Sequence, residues 1–143
     1  MNSIITKSEA ETRALSSLLS SKFSGGEVIG LLGDLGAGKT AFAKGLASGL
    51  NIKKNITSPT FVFMKVYDVS GNKNIKKFVH IDAYRITSEA DIEAIGAPEY
   101  FGRDDTLTVI EWAENIKNIL PKGTKYFKFE SIDENTRKIS FDF

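Results

Sequence analysis

A glycine-rich stretch from Gly33 to Thr40 reads GDLGAGKT and satisfies the pattern G-x-x-x-x-G-K-[ST]. It follows an apolar run of strand length, Val28 to Leu32, and precedes a helical stretch from Lys39 to about Leu50, which is the context that this pattern requires. Glycines let a backbone wrap closely around phosphate oxygens, and the amides that begin a helix attract negative charge. The stretch therefore predicts a triphosphate-binding loop. The residues predicted to hold the nucleotide are Gly33, Asp34, Leu35, Gly36, Ala37, Gly38, Lys39, Thr40 and Ala41.

The end of this loop supplies a cation and a metal ligand. The Lys39 ammonium would lie along the β- and γ-phosphates and offset the charge that develops during phosphoryl transfer. The Thr40 hydroxyl would be one ligand of Mg²⁺. Ala41 stands where many such loops have a second Ser or Thr that reaches the α-phosphate, so we expect a modestly lower nucleotide affinity. The competing interpretation is a glycine-rich helix start with a surface lysine and no ligand.

Acidic residues end two further apolar runs. Asp82 follows FVHI, and Glu111 follows LTVI. The carboxyl ends of parallel strands converge on the ligand crevice of an open α/β sheet, so both carboxylates could reach a metal ion. We assign Glu111 to Mg²⁺ and Asp82 to a metal-bound water or to the attacking water, and direct ligation by Asp82 stays open. For either residue alone, an exposed acid at a strand end is the alternative.

Three further side chains near these acids have both a structural and a functional interpretation. His80 is the only histidine, and a lone histidine on a strand is more often structural than a proton carrier. Arg85 could stabilise phosphate charge, bind an acid of a partner, or form a surface ion pair. Trp112, the only tryptophan, follows Glu111 and on its own indicates packing.

The elements that must position these residues alternate between strands and helices. With 143 residues, the chain has the length of one domain, which we expect to span residues 1–143. Strands alternating with helices and followed by a terminal hairpin predict a three-layer α/β/α sandwich around a mixed, largely parallel sheet. The other predicted elements are a strand at Ile4 and Ile5, a helix from a Ser8–Glu11 capping box to near Gly25-Gly26, a strand from Phe61 to Val69, a strand from Lys77 to Ile81, a helical segment with Glu89, Asp91 and Glu93, a strand from Leu107 to Ile110, a short helix stopped by Pro121, and strands at Lys125–Ser131 and Lys138–Phe143.

Composition narrows the classes of function. Nineteen Lys and Arg against eighteen Asp and Glu give a net charge of +1, which disfavours tight direct binding to nucleic acid. The chain has no cysteine, which excludes disulfides, thiolate metal sites and a thiol nucleophile. No stretch approaches the ~20 apolar residues of a membrane span, and the first residues lack the pattern of a secretion signal. We therefore expect a cytoplasmic protein that does not associate with a membrane.

The sequence resembles the bacterial TsaE family, also called YjeE, of small P-loop ATPases required for threonylcarbamoyladenosine in tRNA. Four motifs carry the resemblance, in order and over nearly the whole chain. They are GDLGAGKT at 33–40, SPTF at 58–61, HIDAYR at 80–85, which matches H-x-D-x-Y-R, and Glu111-Trp112 after a strand. Ala83 is a departure, because the family more often has a bulkier apolar residue there.

The resemblance implies a role for each motif. It implies that Thr40 and Glu111 bind Mg²⁺, that the loop from Leu35 to Thr40 holds the phosphates of ATP or ADP, and that the segment from Glu9 to Thr12 lies near the adenine. It also implies a switch or partner segment whose hydroxyls sense the γ-phosphate, with Pro59 restricting the residue before it to extended geometry. The residues implied for switching or partner contact are Ser58, Pro59, Thr60, Phe61, His80, Tyr84, Arg85 and Trp112.

The family also implies the biological setting. The chain would be the ATPase that joins a TsaB–TsaD heterodimer, in which the threonylcarbamoyl group is transferred to the tRNA adenosine. Its nucleotide cycle would reset that complex between turnovers, and the partners would make most of the tRNA contact. Hydrolysis by the isolated protein would be slow until a partner completes the site.

Three alternatives share the glycine-rich loop. A small-molecule kinase usually adds a lid with several arginines, whereas this chain has only Arg13, Arg85, Arg103 and Arg137, scattered along its length. A GTP switch normally selects guanine with Asn-Lys-x-Asp, and the nearest run, Asn72 to Ile75, lacks the acid. A docking module that is stabilised by nucleotide without turnover is the third.

Overall fold

Seven strands form one mixed sheet in the computed structural model, which describes residues 2–34, 36–57 and 63–143. The strands are β1 (Asn2–Thr6), β2 (Val28–Gly33), β3 (Met64–Asp68), β4 (Lys77–Asp82), β5 (Thr106–Glu111), β6 (Lys125–Ser131) and β7 (Arg137–Phe141). Their order across the sheet is β1-β7-β6-β2-β5-β4-β3. The inner pairings β6–β2, β2–β5 and β5–β4 are parallel, and the outer pairings are antiparallel. The chain is thus of the α/β class, with a parallel centre and antiparallel edges that include the expected β6–β7 hairpin.

Apolar residues on both faces of the central strands create two hydrophobic cores. In β5, Leu107 and Val109 belong to one core, whereas Ile110 belongs to the other. In β2, Ile29 and Val28 divide in the same way. Successive side chains of a strand point to opposite faces, so the two cores lie on opposite sides of the sheet. Because both faces of the sheet are covered, a ligand could reach the central strands only at their ends.

Two helices of eleven residues cover one face: α1 (Glu9–Leu19) and α2 (Lys39–Gly49). They approach closely because α2 has glycine at the contact: a Cβ added to Gly45 would lie 1.8 Å from Ser16 Oγ and 2.3 Å from the Arg13 carbonyl oxygen. Ser8 caps α1 by accepting a hydrogen bond from the Glu11 amide, as the capping box predicts. This close packing fixes the position of α2 relative to α1.

The predicted end of the first helix was wrong. We expected it near Gly25-Gly26, but α1 ends at Leu19 and is followed by a 3-10 turn, Ser20–Lys22. The hydroxyls of Ser20 and Ser21 bond back to carbonyls three residues earlier, at 2.6 and 3.0 Å. Serine hydroxyls that bond to nearby backbone groups disfavour continued α-helix, so the helix stops early.

Shorter helical segments cover the other face. They are α3 (Glu89–Ala94), α4 (Pro98–Phe101) and a 3-10 segment, Ala113–Ile119, where a short helix was predicted. Of the helices in the described ranges, none has the length and apolar composition needed to cross a bilayer. The predicted strand from Phe61 begins, within the described residues, at Met64, and Phe61 lies outside them.

Candidate active site

Three strand ends meet at one edge of the parallel centre. β2 ends at Gly33, β4 at Asp82 and β5 at Glu111, and Asp82 is directly opposite Glu111 in the β4–β5 register. A cavity of about 700 Å³ opens at this edge. The convergence of the two acids is the one predicted from the strand pattern. The described residues that line the cavity are Glu9, Thr12, Gly36, Gly38, Lys39, Thr40, Ala41, Lys44, Asp82, Tyr84, Arg85, Glu111, Trp112, Glu134, Asn135 and Arg137.

The turn between β2 and α2 depends on glycine at two points. Gly33 has a φ of 138°, and a Cβ there would lie 2.5 Å from the Phe129 carbonyl oxygen of the neighbouring strand β6. Gly38, with a φ of 102°, is the N-cap of α2 and has no side chain to cap the first amides of the helix. Those amides remain available to an anion at the cavity.

Lys39 is almost completely buried at the start of α2. Its ammonium donates a hydrogen bond to the Gly33 carbonyl oxygen and lies 3.4 Å from the centre of the Trp112 ring. Burial lowers the pKa of the Lys39 ammonium from its usual 10.5, although nearby carboxylates act in the opposite direction. The carboxylates that raise it are those of Glu114, Glu111, Asp34 and Asp82.

A backbone in the left-handed region presents Trp112 to Lys39. Trp112 has a φ of 58° and a ψ of 38°, unusual for a large residue, directly after the end of β5. Its ring packs on Tyr84 with 4.9 Å between the ring centres. Tyr84 itself follows Asp82, whose Oδ1 accepts a hydrogen bond from the Tyr84 amide at 2.9 Å. The aromatic pair thus links the ends of β4 and β5 beside the lysine.

Glu111 joins the loop to the centre of the sheet through two hydrogen bonds. The Thr40 hydroxyl donates to Glu111 Oε1 at 2.7 Å, and His80 Nε2 lies 2.5 Å from Glu111 Oε2. Glu111 is 3% exposed and His80 is fully buried. Thr40 and Glu111 come from sequence positions 71 apart, and their contact was predicted only as shared metal ligation.

The cavity has a second side, formed by α1 and by the turn between β6 and β7. Glu9 and Thr12 of α1 line it, together with Glu134 and Asn135 of the β6–β7 turn and Arg137 at the start of β7. The Arg137 guanidinium donates to the Gly36 carbonyl oxygen at 3.0 Å, and it also donates to carbonyls of its own turn. Sequence reasoning missed this turn, because no motif marks it and Arg137 lies 101 positions from Gly36.

Other predicted residues lie around the cavity or outside the described ranges. Gly33, Asp34 and Ala37 belong to the loop without being among the described lining residues, and the Gly33 amide donates to Glu114 Oε2 at 3.0 Å. His80 is not among the described lining residues and contacts the carboxylate of Glu111. Leu35 and the predicted switch at Ser58, Pro59, Thr60 and Phe61 lie outside the described residues.

The oxygen atoms at this edge fit Mg²⁺. The Thr40 hydroxyl and the Glu111 carboxylate are hydrogen-bonded neighbours, and the Asp82 carboxylate faces the same cavity. Within residues 2–34, 36–57 and 63–143, no three His, Cys, Asp or Glu side chains cluster as a metal cage. Mg²⁺ is commonly bound by one or two carboxylates together with substrate phosphates, so a sparse oxygen set beside a glycine-rich loop and a helix N-terminus is a suitable site.

Comparison with known proteins identifies the family. Residues 6–139 match the family described as "Threonylcarbamoyl adenosine biosynthesis protein TsaE". The chain is 36% identical over 136 residues to the tRNA threonylcarbamoyladenosine biosynthesis protein TsaE of Bacillus subtilis, covering 95% of this chain and 82% of that protein. It is also 36% identical to the protein of the same name from Treponema pallidum, covering 95% and 96%. The crystal structure of Bacillus subtilis YdiB superposes with a TM-score of 0.75 at 30% identity, covering 98% of this chain and 83% of that one. The chain therefore belongs to the TsaE family.

Proposed function

We propose that this chain is a Mg²⁺-dependent ATPase of tRNA threonylcarbamoyladenosine biosynthesis, whose ATP hydrolysis resets or regulates a TsaB–TsaD transferase complex. The observation that carries the proposal is the Thr40–Glu111 hydrogen bond of 2.7 Å beside a buried Lys39, at the start of α2. This is the arrangement expected of a P-loop enzyme before nucleotide and metal bind. The relatives named above give the pathway, and a role in tRNA modification agrees with a cytoplasmic protein.

The layers around the sheet support a P-loop NTPase-like sandwich. Helices α1 and α2 pack into the core on one face, and α3, α4 and the 3-10 segment pack into the core on the other. Within this arrangement the loop after β2 lies at the carboxyl edge of the parallel strands, where α/β folds bind ligands. We take the fold to be a single domain that contains the whole nucleotide site.

Each residue at the edge has a task in the proposed reaction. The loop and the first amides of α2 would bind the phosphates, and Lys39 would leave the Gly33 carbonyl and pair with the β- and γ-phosphates. Burial disfavours the charged ammonium in spite of the nearby carboxylates, so a bound phosphate would add negative charge that stabilises the ammonium further. Thr40 and Glu111 would hold Mg²⁺, which offsets charge on the transferred phosphoryl group. Asp82 would orient the attacking water or a metal-bound water.

The second side of the cavity would receive the nucleoside. Glu9 and Thr12 lie there on α1, where the family resemblance implies the adenine. Arg137 holds the Gly36 carbonyl, so binding at this side would be coupled to the geometry of the phosphate loop. Tyr84 and Arg85 are exposed at the rim, which suits contact with a partner that completes the site and accelerates slow hydrolysis.

The test is multiple-turnover tRNA modification reconstituted with purified TsaB and TsaD. We expect the wild type to raise the number of products per complex beyond the first round. Lys39→Ala should lose nucleotide binding, and Glu111→Gln should bind nucleotide yet fail to hydrolyse it, so both should fall to a single round. Glu130→Gln, at an exposed position of β6 that is not among the described residues lining the cavity, is the matched control and should behave as wild type.

Two results would overturn the proposal in different ways. No binding of ATP or ADP by the folded wild type in the presence of Mg²⁺ would remove the nucleotide site. Repeated rounds supported by Glu111→Gln with hydrolysis abolished would show that turnover is dispensable, and the docking module would then be the correct function. ATP-dependent phosphorylation of a metabolite faster than hydrolysis would favour the kinase.

A further inference from the structure

His80 is a buried polar residue in the middle of an apolar strand. Its side chain has no exposed surface, and its neighbours along β4, Val79 and Ile81, are fully buried in the apolar core. Its Nε2 atom lies 2.5 Å from Glu111 Oε2. An ionised carboxylate can only accept hydrogen bonds, so the proton is assigned to Nε2, which donates to Glu111.

We propose that His80 is the positioning residue of the metal site: its Nε2–H bond holds the Glu111 carboxylate in the orientation that binds Mg²⁺. This inference rests on the proposed function, since it assigns a task toward the metal. Glu111 receives one donor on each oxygen, from Thr40 at Oε1 and from His80 at Oε2. Because each oxygen has its own donor, the carboxylate is held in one orientation about the Cγ–Cδ bond of Glu111.

The hydrogen bond between His80 and Glu111 is strengthened because both groups are buried. Glu111 is 3% exposed, so little water is available to replace the histidine as a donor. A hydrogen bond to a charged group away from water is stronger than one on the surface. Partners that orient metal-binding carboxylates typically change metal affinity by about 10–100-fold when they are removed.

The environment of the other ring nitrogen of His80, Nδ1, disfavours a purely structural role for this residue. Nδ1 of His80 has no hydrogen-bond partner among the described residues, and a buried polar atom without a partner costs about 1–3 kcal/mol. An apolar side chain of similar size would fill the same space in β4 without that cost. The hydrogen bond to Glu111 is therefore the favourable interaction that accounts for a histidine at this position.

The test separates metal affinity from nucleotide affinity. His80→Met removes the donor with an unbranched side chain, and His80→Gln keeps an N–H at a similar distance from the backbone. Affinity for Mn²⁺ is measured by electron paramagnetic resonance at saturating ADP, and affinity for ADP is measured by calorimetry in EDTA. We expect His80→Met to weaken Mn²⁺ binding about 10–100-fold with unchanged ADP affinity in EDTA, and His80→Gln to recover most of the loss.

Thr108→Val is the matched control. Thr108 lies on β5, is fully buried, and its hydroxyl likewise has no partner among the described residues. Its replacement should leave Mn²⁺ affinity unchanged. Equal Mn²⁺ affinity in folded His80→Met and wild type, or equal losses in His80→Met and His80→Gln, would overturn this inference alone. Failure of the wild type to bind ADP would overturn the proposed function and this inference with it.

A measurement on the unmodified protein covers the case in which His80→Met does not fold. His80 is the only histidine, so its two ring nitrogens give unambiguous ¹⁵N signals. We expect a protonated Nε2, and we expect Mg²⁺ with ADP to shift the ring signals more than ADP in EDTA does. An unprotonated Nε2, or ring signals indifferent to Mg²⁺, would refute the assignment.

Discussion

Replacing Gly45 by alanine reverses the usual effect of this substitution. In the interior of a helix such as α2, glycine to alanine normally stabilises by about 1 kcal/mol. Here the new methyl group would lie 1.8 Å from Ser16 Oγ, 2.3 Å from the Arg13 carbonyl oxygen and 2.9 Å from Arg13 Cα. The serine can rotate away, but the Arg13 backbone can yield only if α1 moves.

The contacts give the size of the effect. Forcing a methyl group into a close-packed contact costs about 1–3 kcal/mol, and rotating Ser16 away from the Arg13 carbonyl loses a hydrogen bond of about 1 kcal/mol. Subtracting the propensity gain of about 1 kcal/mol leaves a net loss of about 1–3 kcal/mol. A displaced α1 also moves Glu9 and Thr12, so we expect weaker ADP binding as well.

Urea denaturation of Gly45→Ala, beside Ser48→Ala, measures this difference. Ser48 lies on the same helix and is exposed, so its replacement should report helix propensity alone and raise the free energy of unfolding by a few tenths of a kcal/mol. Adding Ser16→Ala to Gly45→Ala should recover only part of the loss, because the Arg13 backbone remains. If Gly45→Ala proves more stable than wild type, the close approach of α1 and α2 described above is incorrect.

Three further predictions concern charge, loop geometry and capping. Because the pKa of Lys39 is lowered from 10.5, the unfolded chain binds more protons than the folded chain at pH values between the lowered pKa and 10.5. The free energy of unfolding of the wild type, relative to that of Lys39→Met, should therefore rise with pH across this range. A difference in urea titrations that does not change with pH would contradict this prediction. Arg137→Met removes the donor to the Gly36 carbonyl and should weaken ADP binding about tenfold by calorimetry, the equivalent of ~1.4 kcal/mol; unchanged affinity would mean that the contact does not shape the loop. Ser8→Ala removes the cap of α1 and should cost about 1 kcal/mol in thermal unfolding, whereas Ser21→Ala should cost less.

The glycine-rich loop and the strand-end acids were predictable because local sequence dictates them. GDLGAGKT carries its own backbone requirements, and the runs that precede Asp82 and Glu111 are long enough to indicate buried strands. Parallel pairing then brings their ends together, which the β4–β5 register confirms as a contact between neighbouring strands. The antiparallel edges of the sheet were harder to predict from the sequence, since edge strands depend on pairings between distant segments.

The rest of the candidate site depends on long-range contacts that leave no local pattern. The turn with Glu134, Asn135 and Arg137 resembles any polar hairpin turn, and only the tertiary fold carries it to Gly36. The contact between His80 and Glu111 could not be predicted either, because the alternation of residues along a strand shows which face a side chain lies on but not which residue it contacts. The early end of α1 followed from serine side chains that bond to their own backbone, a competition that helical periodicity does not register.

The pairing of β1 with β7 has a consequence for synthesis on the ribosome. Thr6 is opposite Arg137, so within the described strands β1 has no neighbour in the sheet until β7 has been synthesised. The second side of the cavity consists of α1 and the β6–β7 turn, which are attached to these same strands. A nascent chain that has already made its glycine-rich loop would therefore still lack this side of the cavity, and the proposed nucleotide site would be complete only after β7 has been translated.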